Sequence, residues 1–159
     1  ENDQIGVVVF AKETFYLCPL TQDYHALNLF VDRIDFDLVD GSNTAIGMGL
    51  ANAVKRLKES KAKSKVAILL TDGENNTGQI DPISAAEIAR DFNVRVYTIG
   101  VGTADGWVLG PRISRDPNTG SLRLGGYQRT RSKLDVGQLT DIANLTGGQF
   151  FHAKDGKSL

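Results

Sequence analysis

Short unbroken apolar runs alternate with segments of helical spacing along this chain, and that alternation sets the terms on which it can fold. Val66-Ala67-Ile68-Leu69-Leu70 is an apolar run of strand length that reads as a fully buried strand, and Val94 to Val101 reads as the next strand. Between them, from Asp81-Pro82 onward, Ile83, Ala85, Ile88, Ala89 and Phe92 recur at the spacing of one inward helical face, with proline at a first-turn position. Strands buried on both faces and joined by helices produce this pattern. The expected fold class is α/β: a doubly wound, Rossmann-like, mostly parallel sheet with helices on both faces.

The flanking segments extend it. Ile5-Gly6-Val7-Val8-Val9-Phe10-Ala11 reads as a first strand, and Thr14-Phe15-Tyr16-Leu17-Cys18 follows so soon that only a hairpin can join them, making the second strand an antiparallel edge. Thr21-Gln22-Asp23 should cap a helix facing inward through Tyr24, Leu27, Phe30, Val31 and Ile34. A second helix is expected from Thr44 to Glu59, with Ile46, Leu50, Ala53, Val54 and Leu57 on one face and basic residues in and beyond its last turn. Asp135 to Thr146 reads as a helix closed by Gly147-Gly148, and Gln149 to His152 as a last strand. Residues 103–131 break the rhythm as a Gly/Arg-rich insertion, with Arg112 to Arg115 and Ser121 to Leu124 flanking a turn.

Totals narrow the function. The 159 residues fit a single domain, and 41% hydrophobic with 23% charged residues is ordinary globular composition. No apolar run reaches the roughly 18 residues of a membrane span. One cysteine, Cys18, cannot form an internal disulfide and reads as core; with only His25 and His152 beside it, a thiolate or imidazole metal site is disfavoured. Residues 103–133 carry six basic side chains against two acidic ones, yet lack the aromatic interleaving of single-strand nucleic-acid binders. Nucleic acid is not an expected partner. Arg112, Arg115 and Arg123 are candidates for contact with a protein.

Thr44, at the start of a helix, and Asp72, at the end of a strand, both belong at the carboxyl edge of the sheet, where open α/β folds bind ligands. A hydroxyl and a carboxylate are hard oxygen donors of the kind Mg²⁺ takes. Each residue also has a plain structural reading, Thr44 as an N-cap and Asp72-Gly73 as a turn. Asp72 to Asn76 imitates a calcium loop, but glycine is misplaced and Ile83 stands where the bidentate glutamate belongs. No dinucleotide fingerprint, phosphate-binding loop or nucleophile elbow is present. Asn75-Asn76-Thr77 and Asn144-Leu145-Thr146 match the glycosylation acceptor pattern only as short motifs.

Gly41-Ser42-Asn43-Thr44-Ala45-Ile46-Gly47, followed by Leu69-Leu70-Thr71-Asp72-Gly73-Glu74-Asn75, resembles the second and third metal-site loops of a von Willebrand factor A domain. Gly6 to Ala11, Cys18 to Thr21, Thr98 to Gly102 and Thr146 to Phe151 resemble in particular the bacterial Bat family, associated with aerotolerance. The resemblance implies a metal-ion-dependent adhesion site in which Thr44 and Asp72 join an Asp-x-Ser-x-Ser motif around Mg²⁺ or Mn²⁺, and an acidic side chain of a partner protein completes the shell. That motif, with its strand and following helix, has no counterpart before Ile5, so the expected organisation is one domain over 1–159, incomplete at its N-terminus and, by the same comparison, at its C-terminus. Metal binding by this stretch alone should then be weak or absent. Asp40-Gly41-Ser42-Asn43-Thr44 imitates the missing motif but lacks a preceding strand, so Asp40 and Ser42, with Gly73 and Glu74, are read as loop support.

The resemblance further implies a binding module without catalysis, in an inner-membrane-anchored bacterial parent that faces the periplasm and works in a cell-envelope complex. A MoxR-type ATPase or other Bat proteins are the implied partners, and membrane contact would come only through parent segments. Two alternatives stand beside it: a Mg²⁺-assisted hydrolase or phosphoryl-transfer enzyme with Asp72 as ligand or nucleophile, and a metal-free scaffold.

Overall fold

The computed structural model describes residues 3–35, 43–102, 107–117, 120, 122–131 and 134–153. In chain order the elements are β1 (Ile5–Phe10), β2 (Thr14–Thr21), α1 (Tyr24–Val31), α2 (Ile46–Glu59), β3 (Lys65–Thr71), α3 (Pro82–Asp91), β4 (Val94–Val101), β5 (Trp107–Arg115), β6 (Leu122–Arg131), α4 (Val136–Leu145) and β7 (Phe150–Ala153). β3, β4 and β7 form a parallel sheet in that order, and β1 and β2 an antiparallel pair. This is the α/β class expected from the sequence, hairpin included. The insertion is a longer hairpin than expected, with β5 and β6 paired from Trp107–Arg131 to Arg115–Leu122.

The core lies between the parallel sheet and three helices. Ile46, Leu50 and Val54 of α2, Ala85, Ala86 and Ala89 of α3, and Leu139 and Ile142 of α4 bury against Ala67, Leu69, Val94 and Val96. α3 touches both α2 and α4, so its inward side is alanine, the side chain that lets a helix sit close between two others. Ile88 and Phe92, expected inside, therefore lie outward, 40% and 38% exposed, and the Lys58 ammonium stands 4.3 Å from the Phe92 ring centroid.

Thr98 is fully buried on β4 and donates its hydroxyl to the Leu139 carbonyl of α4 at 2.8 Å. Thr98→Val keeps the shape and loses the bond. It should lower unfolding free energy by about 1 kcal/mol, read as a shifted urea midpoint at unchanged slope.

Residues 66–70 depart from the fully buried strand expected of them. Val66, Ile68 and Leu70 are 43%, 68% and 49% exposed, while Ala67, Leu69 and Thr71 are buried. The described helices α2, α3 and α4 pack on one face, so the two-residue period of a strand decides which side chains see the core. On the other face Ile68 pairs with Tyr97, Leu70 with Ile99 and Ile99 with Phe151, an apolar surface that no described helix covers. α1 also packs less than expected. Among the described elements it contacts only β1 and β2; it buries Leu27 and leaves Tyr24 and Val31, with Ile34 beyond its end, more than two-fifths exposed. Asp23 caps it as expected, accepting the Ala26 amide at 2.9 Å, and Cys18 is buried in β2.

Candidate metal centre

β3 ends at Thr71, so Asp72 is the first residue off its carboxyl end, and its side chain is exposed. α2 begins at Ile46 with Ala45 as its N-cap. Thr44 thus precedes the cap, and neither the expected helix start nor the N-cap reading applies to it. Among the described residues no hydrogen bond engages its hydroxyl. That oxygen lies over Gly73, 3.6 Å from where a Cβ on that glycine would stand, so the structure brings the Thr44 hydroxyl to the residue next to Asp72.

Two asparagines hold the loops together. The Thr44 amide donates to Asn76 Oδ1 at 2.8 Å, the Asn76 amide returns a bond to the Thr44 carbonyl at 3.0 Å, and the Ile46 amide donates to Asn75 Oδ1 at 2.8 Å. Ala45 contributes no capping side chain, so these carbonyl oxygens meet amides at the start of α2 that the helix itself cannot satisfy. Sequence reasoning missed this role. Asn75 and Asn76 looked like an imperfect calcium loop and a glycosylation acceptor; the legible signal was a pair of side-chain amides two loops away from a helix start with no cap of its own.

The platform continues outward. The Ala45 amide donates to the Ala11 carbonyl at 2.8 Å, tying the β1–β2 turn to the Thr44 loop, and the Gly73 amide donates to Thr71 Oγ1 at 3.3 Å. Glu74 is half-buried in the same loop. Asp40 and Ser42 lie outside the described residues. Arg112 and Arg123 are exposed on the β5–β6 hairpin, and Arg123 pairs with Asp116 at 2.9 Å; of Arg115 only the backbone, in β5, is described. Among the described elements β5 and β6 contact only each other.

Chemically, one hydroxyl and one exposed carboxylate on adjacent, cross-bonded loops fit part of the shell of a hard divalent cation, which takes oxygen donors and keeps several positions for water or a partner. Among the described residues no group of three acidic, histidine or cysteine side chains could hold a metal. His152, near the carboxyl end of β7, is occupied: its Nε2 lies 2.6 Å from the Gly102 carbonyl.

Comparison with known proteins bears on this arrangement. An uncharacterized protein of Borreliella burgdorferi is 31% identical over 98% of the chain, which spans 43% of that relative's length. BatB from Bacteroides thetaiotaomicron superposes with a TM-score of 0.78 at 28% identity, over 99% of this chain and 74% of that one. An aerotolerance-related membrane protein from Bacteroides fragilis gives 0.75 at 26% identity, over 99% and 75%. Proximal thread matrix protein 1 from the mussel byssus, solved with zinc in its MIDAS motif, gives 0.69 at 25% identity, over 98% of this chain and 32% of that one. The model of the von Willebrand factor type A domain matches residues 1–159. The chain belongs to the von Willebrand factor type A domain family.

Proposed function

We propose that this domain is a protein–protein interaction module whose contact is bridged by a divalent metal, with no catalytic step of its own. The observation that carries it is the Thr44 hydroxyl held over Gly73, beside Asp72, by the Asn75 and Asn76 bonds. Thr44 and Asp72 would each give one oxygen to Mg²⁺ or Mn²⁺, and a partner's carboxylate would take an open position. Bound metal would supply a fixed positive charge that a carboxylate can reach. The zinc-occupied motif of the mussel protein supports the reading by likeness. Arg112, Arg115 and Arg123 would widen the contact toward an acidic partner, and Gly73 and Glu74, with Asp40 and Ser42, would shape the loops.

We further propose that the parent protein supplies the remaining donors on a strand between β1 and β3. Those strands belong to separate sheets and make no described contact with each other, yet α2 touches both, which leaves room for a strand between them in this reading. The bare face carrying Ile68, Leu70 and Phe151 would take helices of the same parent. Likeness to BatB and to the Bacteroides membrane protein supports a membrane-associated bacterial parent. In this reading the parent would be anchored in the inner membrane and work in a cell-envelope complex, with this domain on the periplasmic side and a MoxR-type ATPase or other Bat proteins as partners. No described helix is itself long and apolar enough to cross a membrane.

Calorimetry with Mn²⁺ and Mg²⁺, on this chain and on a longer form carrying its upstream segment, tests the reading. The longer form should bind, this chain weakly or not at all, and Asp72→Ala should weaken binding by the longer form at least about tenfold, since one tenfold step is only about 1.4 kcal/mol. A longer form indifferent to both metals would end the proposal. So would partner binding left intact by Asp72→Ala.

A further inference from the structure

The opposite edge of the sheet holds a second concavity with its own chemistry. Where β3 and β4 begin, a hollow of about 330 Å³ is walled by Lys63, Ser64, Lys65, Arg90, Asn93 and Arg95. Its floor includes Thr146, whose hydroxyl accepts the Val96 amide at 3.0 Å and lies within 3.1 Å of the Ile142 and Ala143 carbonyls; that oxygen is fully used by the fold. Four cations around one small hollow repel each other, and an anion held among them would relieve that repulsion.

Helix ends offset part of it. α2, α3 and α4 all finish at this edge, and the carbonyls of a helix C-terminus favour positive charge. Lys65 serves in this way, donating Nζ to the Lys58 carbonyl at 3.2 Å; Arg90 sits in the last turn of α3, with Nη2 3.4 Å from Asp91. Lys63 and Arg95 are different. Neither lies in a helix, both are exposed, and no acidic group of the described residues comes within 4.0 Å of either. The neighbourhood adds to the surplus: residues 55–65 hold six basic side chains and one acid, Glu59, already paired with Arg56 at 3.7 Å.

We propose that this hollow binds a phosphate group. Phosphate presents several acceptor oxygens in three dimensions, matching a guanidinium fork from Arg95, ammonium groups from Lys63 and Lys65, and hydroxyl and amide donors from Ser64 and Asn93. A single carboxylate would leave most of those donors unused. No aromatic side chain lines the hollow to stack a base, so a nucleic-acid strand is not the ligand it suits. The site lies at the edge away from Thr44 and Asp72 and does not depend on metal there.

Nuclear magnetic resonance titration of the chain decides it. Inorganic phosphate should shift the amides of Ser64, Asn93 and Arg95 saturably, and Lys63→Ala with Arg95→Ala should weaken binding on the order of tenfold or more. Lys12→Ala removes one exposed positive charge at the opposite edge, in the β1–β2 turn, and should leave the affinity unchanged. A parallel sedimentation arm with phosphatidylglycerol and phosphatidylcholine vesicles identifies the source. Binding to phosphatidylglycerol alone that phosphate competes away points to a lipid headgroup, and phosphate shifts without vesicle binding point to a soluble phosphate. No saturable shift and no selective vesicle binding would overturn the proposal, as would equal weakening by Lys12→Ala.

Discussion

Gly47→Ala should destabilise the protein by about 3 kcal/mol, against the rule that alanine is the better helix former by about 1 kcal/mol. Gly47 lies in the first turn of α2, where the 73–81 segment crosses it. A Cβ there would stand 2.0 Å from the Ile80 carbonyl oxygen, 2.8 Å from its carbon and 2.9 Å from the Asp81 carbonyl carbon. All three are backbone atoms, so no rotamer change relieves the clash; the segment after Asp72 must move bodily or the start of α2 must unwind. Either path separates the Thr44 and Asp72 loops, so the variant should also lose whatever metal affinity the longer form shows. Gly137→Ala provides the opposite sign. It sits in the first turn of α4, where among the described residues an added Cβ meets only the Asp135 carboxylate, at 3.4 Å, and it should hold or gain stability. Urea unfolding of both variants checks the pair, and a Gly47→Ala protein as stable as its parent would show that the loop is not seated where described.

The second large effect concerns the asparagines. Replacing Asn75 and Asn76 together by alanine removes the acceptors for the Ile46 and Thr44 amides. A partly buried amide left without a partner costs about 1–3 kcal/mol, so the double variant should lose about 2 kcal/mol. Asn75→Asp retains an oxygen acceptor and adds negative charge at a helix N-terminus, and should keep most of the stability. Equal losses for Asp and Ala would mean that packing, and not the hydrogen bonds, sets the energy.

These two sites also mark how far the sequence was legible. Strand and helix order, the β1–β2 hairpin, the Asp23 cap and the buried Cys18 could be read from local pattern, because each rests on neighbours close in the chain. What lies on the outside of an element was harder. An unbroken run such as Val66–Leu70 does not say whether one face or two will be covered, and α3 reads as a helix with Ile88 and Phe92 inside until the closeness of α2 and α4 selects its alanines. The site was half legible for a similar reason. Residue type and position point to Thr44 and Asp72, but the bonds that join their loops run between residues 29 and 32 positions apart, and no local pattern records such pairings.

The position of α2 has a consequence for how the molecule comes apart. Among the described elements it alone touches strands of both β1–β2 and β3–β4–β7, while α1 rests on the hairpin only. The hairpin with α1 and the parallel sheet with α3 and α4 are then two cooperative units sharing one helix. Opening of the first can leave the second standing, so amide protons of β1 and β2 should exchange through a subglobal event while those of β4 wait for global unfolding.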